Sequence, residues 1–371
     1  MKHYKLSDIV IEINERENDP SSSKYDRFVG LEHYVSGDVI IRNYGSTELL
    51  GSSMKVFRAG DVLVARRNVY LKRAATVDFD GLTSGDSIVL RAKSELFGKI
   101  LPFILNTDEF WDYADKYSDG TMSKRLSPKV LMQYEFDLPD DDKLIQLVDI
   151  LWASNEAKES YRKLLHATDD LVKSQFIEMF YGKGYPIKTI GDVIDKKIAR
   201  VAKVFEKTDK IQYLDISSID NVSKKVTGLT TYTLSDAPSR AQYILKAGDI
   251  LYSTVRPNLQ NIAINPYNED NIIGSTGFCV LRCSTVRTGY LWGVVNSILF
   301  TDAMVKKASG ANYPAVTDKV VHAYEIPIPP EEAQIAYEQL IKQSDKSKFV
   351  IDNYINKKYG KIRRYPDVYR I

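Results

Sequence analysis

Short alternating apolar runs recur along the chain: DVLVA (61–65), GLTSGDSIVLRA (81–92), DILYS (249–253) and IIGSTGFCVLRC (272–283). The turn signals AGD, DFDG and NPYN separate them, so these runs predict β-strands. LFGKILPFILNTDEFWDYADKY (96–117) and GYLWGVVNSILFTDAMVKKA (289–308) instead space their apolar residues with a helical period. After Pro139 and after Pro329 the pattern changes to a long helix, each opening on acidic residues (Asp140, Asp141 and Asp142; Glu331 and Glu332) that suit the positive end of a helix dipole.

These elements come twice. YKLSDIV (4–10) returns as IKTIGDVI (187–194), VGLEH (29–33) as YLDIS (213–217), and FRAGDVLVARRNVYLKRAA (57–75) as LKAGDILYSTVRPNLQNIA (245–263). SDGTMSKRLSPKVLMQYEFDLP (118–139) likewise returns as SGANYPAVTDKVVHAYEIPIP (309–329). A period near 190 residues is a duplicated domain, not a solenoid. The expected fold class is α+β: two similar mixed domains, 1–140 and 183–330, followed by helical segments 141–182 and 331–371.

The two long helices share a seam. Leu147, Ile150, Ser154, Ala157, Tyr161, Leu164 and Thr168 correspond to Tyr337, Leu340, Ser344, Ser347, Ile351, Tyr354 and Lys358, with small residues at the same two layers. Such a heptad suits pairing in an antiparallel coiled coil with pseudo-two-fold symmetry; the alternative is that each helix covers only its own domain. Length favours pairing, since residues 141–180 extend about 60 Å as a helix, more than a small domain needs.

Composition narrows the class only slightly. The 371 residues are 44% hydrophobic and 27% charged, an ordinary globular balance with room for two or three cores. MKHYKLSDIVIEINERE has neither a signal peptide's apolar core nor a membrane span, so the expected location is the cytoplasm. Cys279 and Cys283 lie four apart on a predicted strand, too far apart to bridge, and are expected to be reduced. Net charge is +2, but residues 181–330 carry 18 basic and 13 acidic side chains while 1–140 carry 19 and 22, so the second half is the basic one. That is compatible with a nucleic-acid partner without requiring it.

Catalytic motifs fail on inspection. INPYNED (264–270) lacks one proline of a methyltransferase loop, and no glycine-rich strand-to-helix turn for an adenosyl cofactor is present. PDDDK (139–143) mimics a nuclease metal set but falls at a single helix start, where capping explains it. The four histidines lack metal-ligand spacing, so neither cofactor nor metal is expected.

Binding chemistry remains. After GDVLV the first copy offers Arg66, Arg67, Tyr70, Lys72 and Arg73; after GDILY the second offers Ser253, Arg256, Asn258 and Gln260. The apolar frame persists while the polar set changes, as two readers of different base sequences would need: arginine pairs with guanine, asparagine or glutamine with adenine. The same cations could rest on phosphates. A second loop pair adds Lys124 and Arg125 against Asn312 and Tyr313, and KKIARVAKVFEKTDK (196–210) is a basic run without an equal in the first copy.

The paired GD-[VI]-L segments, GLEH and YLDIS, the SDG or SG loop, and the proline leading into an acidic helix together resemble the specificity subunit of type I restriction-modification systems over essentially the whole chain. The resemblance implies two target recognition domains that each read one half of a split, asymmetric site in double-stranded DNA. It also implies helices that set the spacer through residues such as Leu147, Ile150, Tyr161, Leu164, Tyr337, Leu340, Ile351 and Tyr354, and that dock two methylation subunits, with a restriction subunit joining them. Catalysis would then lie in the partners. The competing readings are the recognition part of a type II restriction-methylation enzyme and a duplicated protein-binding scaffold. The second helix is shorter than the first and ends in the basic tail KKYGKIRRYPDVYRI.

Overall fold

The computed structural model describes residues 1–121, 123–310 and 313–359, the last eight by backbone alone. The described residues divide into two compact units, 1–163 with 351–359 and 164–350, each with its own core.

In the first unit β1 (Lys2–Lys5), α1 (Leu6–Ile9) and β2 (Val10–Ile13) lead to β3 (Arg16–Glu17), β4 (Arg27–Val29), β5 (Gly45–Ser46), β6 (Met54–Phe57) and β7 (Val62–Ala65). There follow β8 (Ala74–Thr76), β9 (Gly81–Thr83), β10 (Ser87–Ala92), α2 (Glu95–Ile104), α3 (Asp108–Tyr117), α4 (Pro128–Leu131), β11 (Glu135–Leu138) and the start of α5 (Asp141–Phe180). Strands order as β2-β10-β7-β8 in one sheet and β3-β6-β9-β4-β5 in another, with β1 paired to β11. The apolar run of β7 is buried at every position, which is why it sits centrally between β8 and β10.

The second unit repeats this plan. Its elements are β12 (Ile187–Thr189), β13 (Lys210–Leu214), the hairpin β14 (Ile219–Asp220) and β15 (Lys225–Val226), β16 (Thr230–Thr233), β17 (Ala241–Ile244), β18 (Ile250–Ser253), β19 (Ile262–Ile264), β20 (Ile272–Ser275) and β21 (Phe278–Leu281). Then come α6 (Thr288–Val295), α7 (Ile298–Lys307), α8 (Asp318–His322), β22 (Glu325–Pro327) and α9 (Glu331–Tyr359). β19-β18-β21 matches β8-β7-β10, the parallel pair β13/β20 matches β4/β9, and β12/β22 matches β1/β11. Caps repeat too: Thr107 and Ser297 accept from the amides of Phe110 and Phe300, and Ser127 and Thr317 from those of Val130 and Val320.

The shared GD dipeptide has a structural cause. Gly60 and Gly248 turn at φ +90° and +87°, where a Cβ is strained. The following carboxylates, Asp61 and Asp249, accept the amides of Arg58 and Lys246 and take a two-pronged pair from Arg91 (2.7 and 2.8 Å) and Arg282 (2.7 and 2.7 Å). Those bonds raise both guanidinium pKa values. Gly-Asp therefore builds the strand that carries each candidate loop.

The stripe that α5 buries on the first unit is Leu144, Leu147, Val148 and Leu151, continued by Asn155. This corrects the expected seam: Leu147 packs into the first core, while Ile150 and Leu164 stand 59% and 50% exposed. The reason is periodicity, because domain packing follows 3.6 residues per turn and rotates away from a 3.5-residue heptad. Tyr161 and Ile351 are half-buried, and the side chain of Tyr354 lies outside the described residues.

Within the second unit the end of α5 does meet α9. The Phe176 ring lies tilted 5.1 Å from that of Tyr337, Phe180 lies 5.5 Å from the same ring, Leu340 packs beside them, and Asp169 pairs with Lys348. Contacts climb one helix as they descend the other, so the two segments run antiparallel. Gly293 lets Phe176 approach, since a Cβ there would fall 2.5 Å from its ring.

Candidate nucleic-acid interface

Each unit carries the same unusual turn. After β7, Asn68 and Lys72 hold left-handed backbone (φ 54° and 48°) on either side of a single 3-10 turn, Val69–Leu71. After β18, Arg256 and Gln260 do the same (φ 50° and 49°) around Pro257–Leu259. Four of the five described non-glycine residues with positive φ sit at these four positions. Backbone strain of this kind persists only where surroundings impose it, and it concentrates at functional loops.

Surroundings impose it through the second candidate loop. In the first unit the Asn68 amide donates to Lys124 O (2.9 Å), the Leu126 amide to Arg66 O (2.8 Å), and Ser123 Oγ to Asn68 Oδ1 (3.1 Å). In the second, the Arg256 amide donates to Pro314 O (2.7 Å) and the Val316 amide to Thr254 O (2.9 Å). The two loop pairs picked out in the sequence are thus brought together in each unit.

The polar groups differ. Arg67 and Arg125 converge on one carboxylate, Asp86, at 3.2 and 2.5 Å, with both guanidinium groups about half exposed. Tyr70 projects at the turn tip, 64% exposed. The Arg66 Nε is buried with no partner among the described residues. In the second unit Arg256 lies 4.6 Å over the Tyr313 ring, and Asn258 is exposed at the tip.

Other predicted contacts are turned to structural use. Lys72 donates to Asp108 (2.9 Å) and Gln260 to Thr301 (2.8 Å), tying the end of each turn to α3 and α7 respectively. Lys124 is held by Asp115 at 2.6 Å. Arg73 donates to the carbonyls of Leu31 and Arg67, and burial lowers its pKa. Ser253 is a correction: at 2% exposed, with Oγ bonded to Val255 O, it is a buried end of β18 and cannot reach a groove. Asn312 lies outside the described residues. In the basic run 196–210, Arg200 lies 5.5 Å over Tyr243.

Two participants were missed. Asp86 follows Gly85 in a turn and looks like any loop carboxylate until the fold sets it beside two arginines. Lys224 sits in the hairpin β14–β15 at φ 56°, and its Nζ donates to Gln260 O (2.7 Å). Burial, then the nearby Lys173 charge, pushes its pKa down to about 8.

Cys279 is buried 3.5 Å from His322 Nε2, and burial pushes its thiol pKa up. Among the described residues no group of three His, Cys, Asp or Glu side chains could hold a metal, and no helix is long and apolar enough to cross a membrane.

A duplicated α/β domain that presents one strained loop frame twice, with different polar letters, defines a class of paired recognition modules. Residues 182–358 match the model for the type I restriction modification DNA specificity domain, the family that the resemblance read from the sequence names. Among solved structures, a chain from a study of complex assembly and conformational transition in a type I R-M system is 18% identical, with a TM-score of 0.51 over 98% of this chain and 97% of that one. That likeness is one of fold. The HsdS subunit from Thermoanaerobacter tengcongensis (18% identity, TM-score 0.39, 98% and 93% covered) and the S subunit from M. genitalium (11%, 0.48, 96% and 92%) are also similar. No protein of curated function matches the sequence.

Proposed function

We propose that the chain is the non-catalytic DNA-recognition subunit of a type I restriction-modification complex. Each unit reads one half of a bipartite, asymmetric site in double-stranded DNA, α5 and α9 pair as an antiparallel ruler that fixes the spacer, and two methylation subunits dock on the helices. A restriction subunit joins them, and methylation and cleavage belong to these partners, in the cytoplasm.

The observation that carries this reading is the strained turn built twice on one backbone with Arg67, Tyr70 and Arg125 in one unit and Arg256, Asn258 and Tyr313 in the other. A scaffold that bound only protein would have no need of two matched loops with different base-reading chemistry. Coexpression with its methylation subunits, followed by methylome sequencing, should return a split, asymmetric motif. Exchanging residues 1–140 for another recognition domain should change one half of the motif only. A single continuous palindrome, or no motif, overturns the proposal.

A further inference from the structure

The first unit is fastened to α5 by more than apolar packing. Asp38, 7% exposed, lies in the loop between β4 and β5 and accepts from Lys158 Nζ (3.1 Å) and twice from Arg162 Nη1 (2.7 and 2.8 Å). Glu159, between those cations on the helix, pairs with Arg162 at 2.9 Å and with Arg42 of the same loop at 3.3 Å. Two bridges of opposite polarity therefore cross from domain to helix: a domain anion on helix cations, and a domain cation on a helix anion.

Opposite polarity makes the fastening selective. Leu144, Leu147, Val148, Leu151, Asn155, Lys158, Glu159 and Arg162 follow one helical stripe of about 27 Å, apolar at the start and charged at the end. The apolar part would tolerate a slide along the helix. The charged part would resist it, because moving Asp38 by three residues toward the helix start exchanges Lys158 and Arg162 for Asn155 and Glu159 and leaves a buried carboxylate unpaired, while a move of four residues keeps only Lys158 beside it.

The second unit answers differently at the corresponding place. The Gly37 amide of the first unit donates to Lys72 O, the carbonyl that closes its turn; in the second unit Lys224 Nζ donates to the equivalent Gln260 O. There the loop brings Lys224 toward Lys173 of α5, a like charge.

We propose that Asp38, acting through Lys158 and Arg162, is the positioning residue that fixes the first recognition domain's place along α5, and so sets which spacer length the protein accepts. This rests on the DNA-recognition reading above. The two domains then meet α5 unequally: the first is indexed to it by a buried ion-pair network, while the second packs on it through Phe176 and Phe180 and keeps its ion pair, Arg287 with Glu338, for α9.

The test uses the full chain with its methylation subunits, bound to duplexes carrying the native motif with its own spacer or one base pair more or less. Asp38→Asn and Arg162→Gln are compared with wild type; the second lies at a helix surface and leaves the domain core intact. Expected is a fall of about ten-fold in discrimination between native and altered spacers, the scale of one partly buried ion-pair network. Half-site base preference should stay unchanged, and affinity for the native spacer should fall less than the discrimination does. Undiminished discrimination in both variants, or a parallel fall at every spacer, overturns the role of Asp38 while leaving DNA recognition intact. A wild-type protein indifferent to spacer length overturns the ruler reading and this inference together.

Discussion

The two turns, Val69–Leu71 and Pro257–Leu259, share a backbone to within a few degrees of φ at their flanking residues yet present their cations in opposite ways. In the first, Arg67 and Arg125 face a common carboxylate; in the second, Arg256 lies over a ring. A carboxylate restrains two guanidinium groups and cancels part of their charge, so the first site approaches a polyanion pre-oriented but weakened. A ring instead offers a guanidinium an aromatic face to lie over. The frame is therefore the common property, and the manner of presenting charge is the variable one.

The frame itself offers the largest effect with which to break the comparison. Removing Asp249 leaves the largely buried Arg282 with the Ile244 carbonyl but no carboxylate, and Asp249→Ala should cost about 3–5 kcal/mol in the second unit's urea unfolding. Asp61→Ala should cost less, about 2–3 kcal/mol, because Arg91 is 35% exposed against 15% for Arg282 and water can take over its bonds. The reverse order would mean that the two Gly-Asp strands are not equivalent supports.

That prediction depends on partners the chain order conceals. The duplication, its alternating strand segments and the long helices were legible, because apolar alternation and repeat offsets are local signals. GD was visible twice, and so was the arginine of VLRA and VLRC, but only the fold sets Asp61 against Arg91, 30 residues away. The loop residues were legible as a set and not as individuals. Arg67, Lys72 and Arg73 look alike in sequence, yet one faces Asp86, one is tied to Asp108 and one is turned onto carbonyls. Ser253 was misread because a strand's last residue and a loop's first are adjacent letters, and burial separates them. The α5 stripe was misread because a heptad and a 3.6-residue stripe coincide over two turns and then diverge.

A smaller effect separates the two modes of presentation. Arg67→Ala should weaken binding at the first half-site, and Arg256→Ala at the second, by about 1–3 kcal/mol each if the arginine meets a base edge. If it rests on a phosphate, affinity should fall for all sequences alike and the salt slope should drop by about one. Asp86→Asn sharpens the contrast. It releases Arg67 and Arg125 together, so binding to unrelated DNA should tighten while discrimination at the first half-site falls, with no change at the second. Titrations at several salt concentrations on duplexes altered in one half-site read all three outcomes. Equal loss at both half-sites from either arginine variant would mean that the units do not read separately.

The smallest effect concerns the hairpin that only the second unit sets against its turn. Lys224 titrates near 8 in the fold, against an ordinary value near 10.5, because burial and then Lys173 disfavour its charge. Between those two values the unfolded chain holds the proton and the folded chain does not, so this group makes stability rise with pH across that window. Below about pH 8 the lysine is charged in both states, and the fold bears the full cost of keeping it half-buried beside a like charge. Lys224→Met removes that cost. The site is about half open and screened, so the gain at pH 7 should be about 1 kcal/mol rather than the whole shift. It should shrink steadily as pH rises toward 10, in urea unfolding of variant and wild type side by side. The first unit, where the equivalent loop meets α5 through Asp38 and two cations, offers the control of opposite sign: Asp38→Asn should destabilise at pH 7, since it strips from Lys158 the carboxylate it pairs with among the described residues and takes a two-pronged partner from Arg162. A Lys224→Met gain that stayed constant from pH 7 to 10 would show that the methionine stabilises by packing alone, and that the like-charge contact with Lys173 carries no energetic weight.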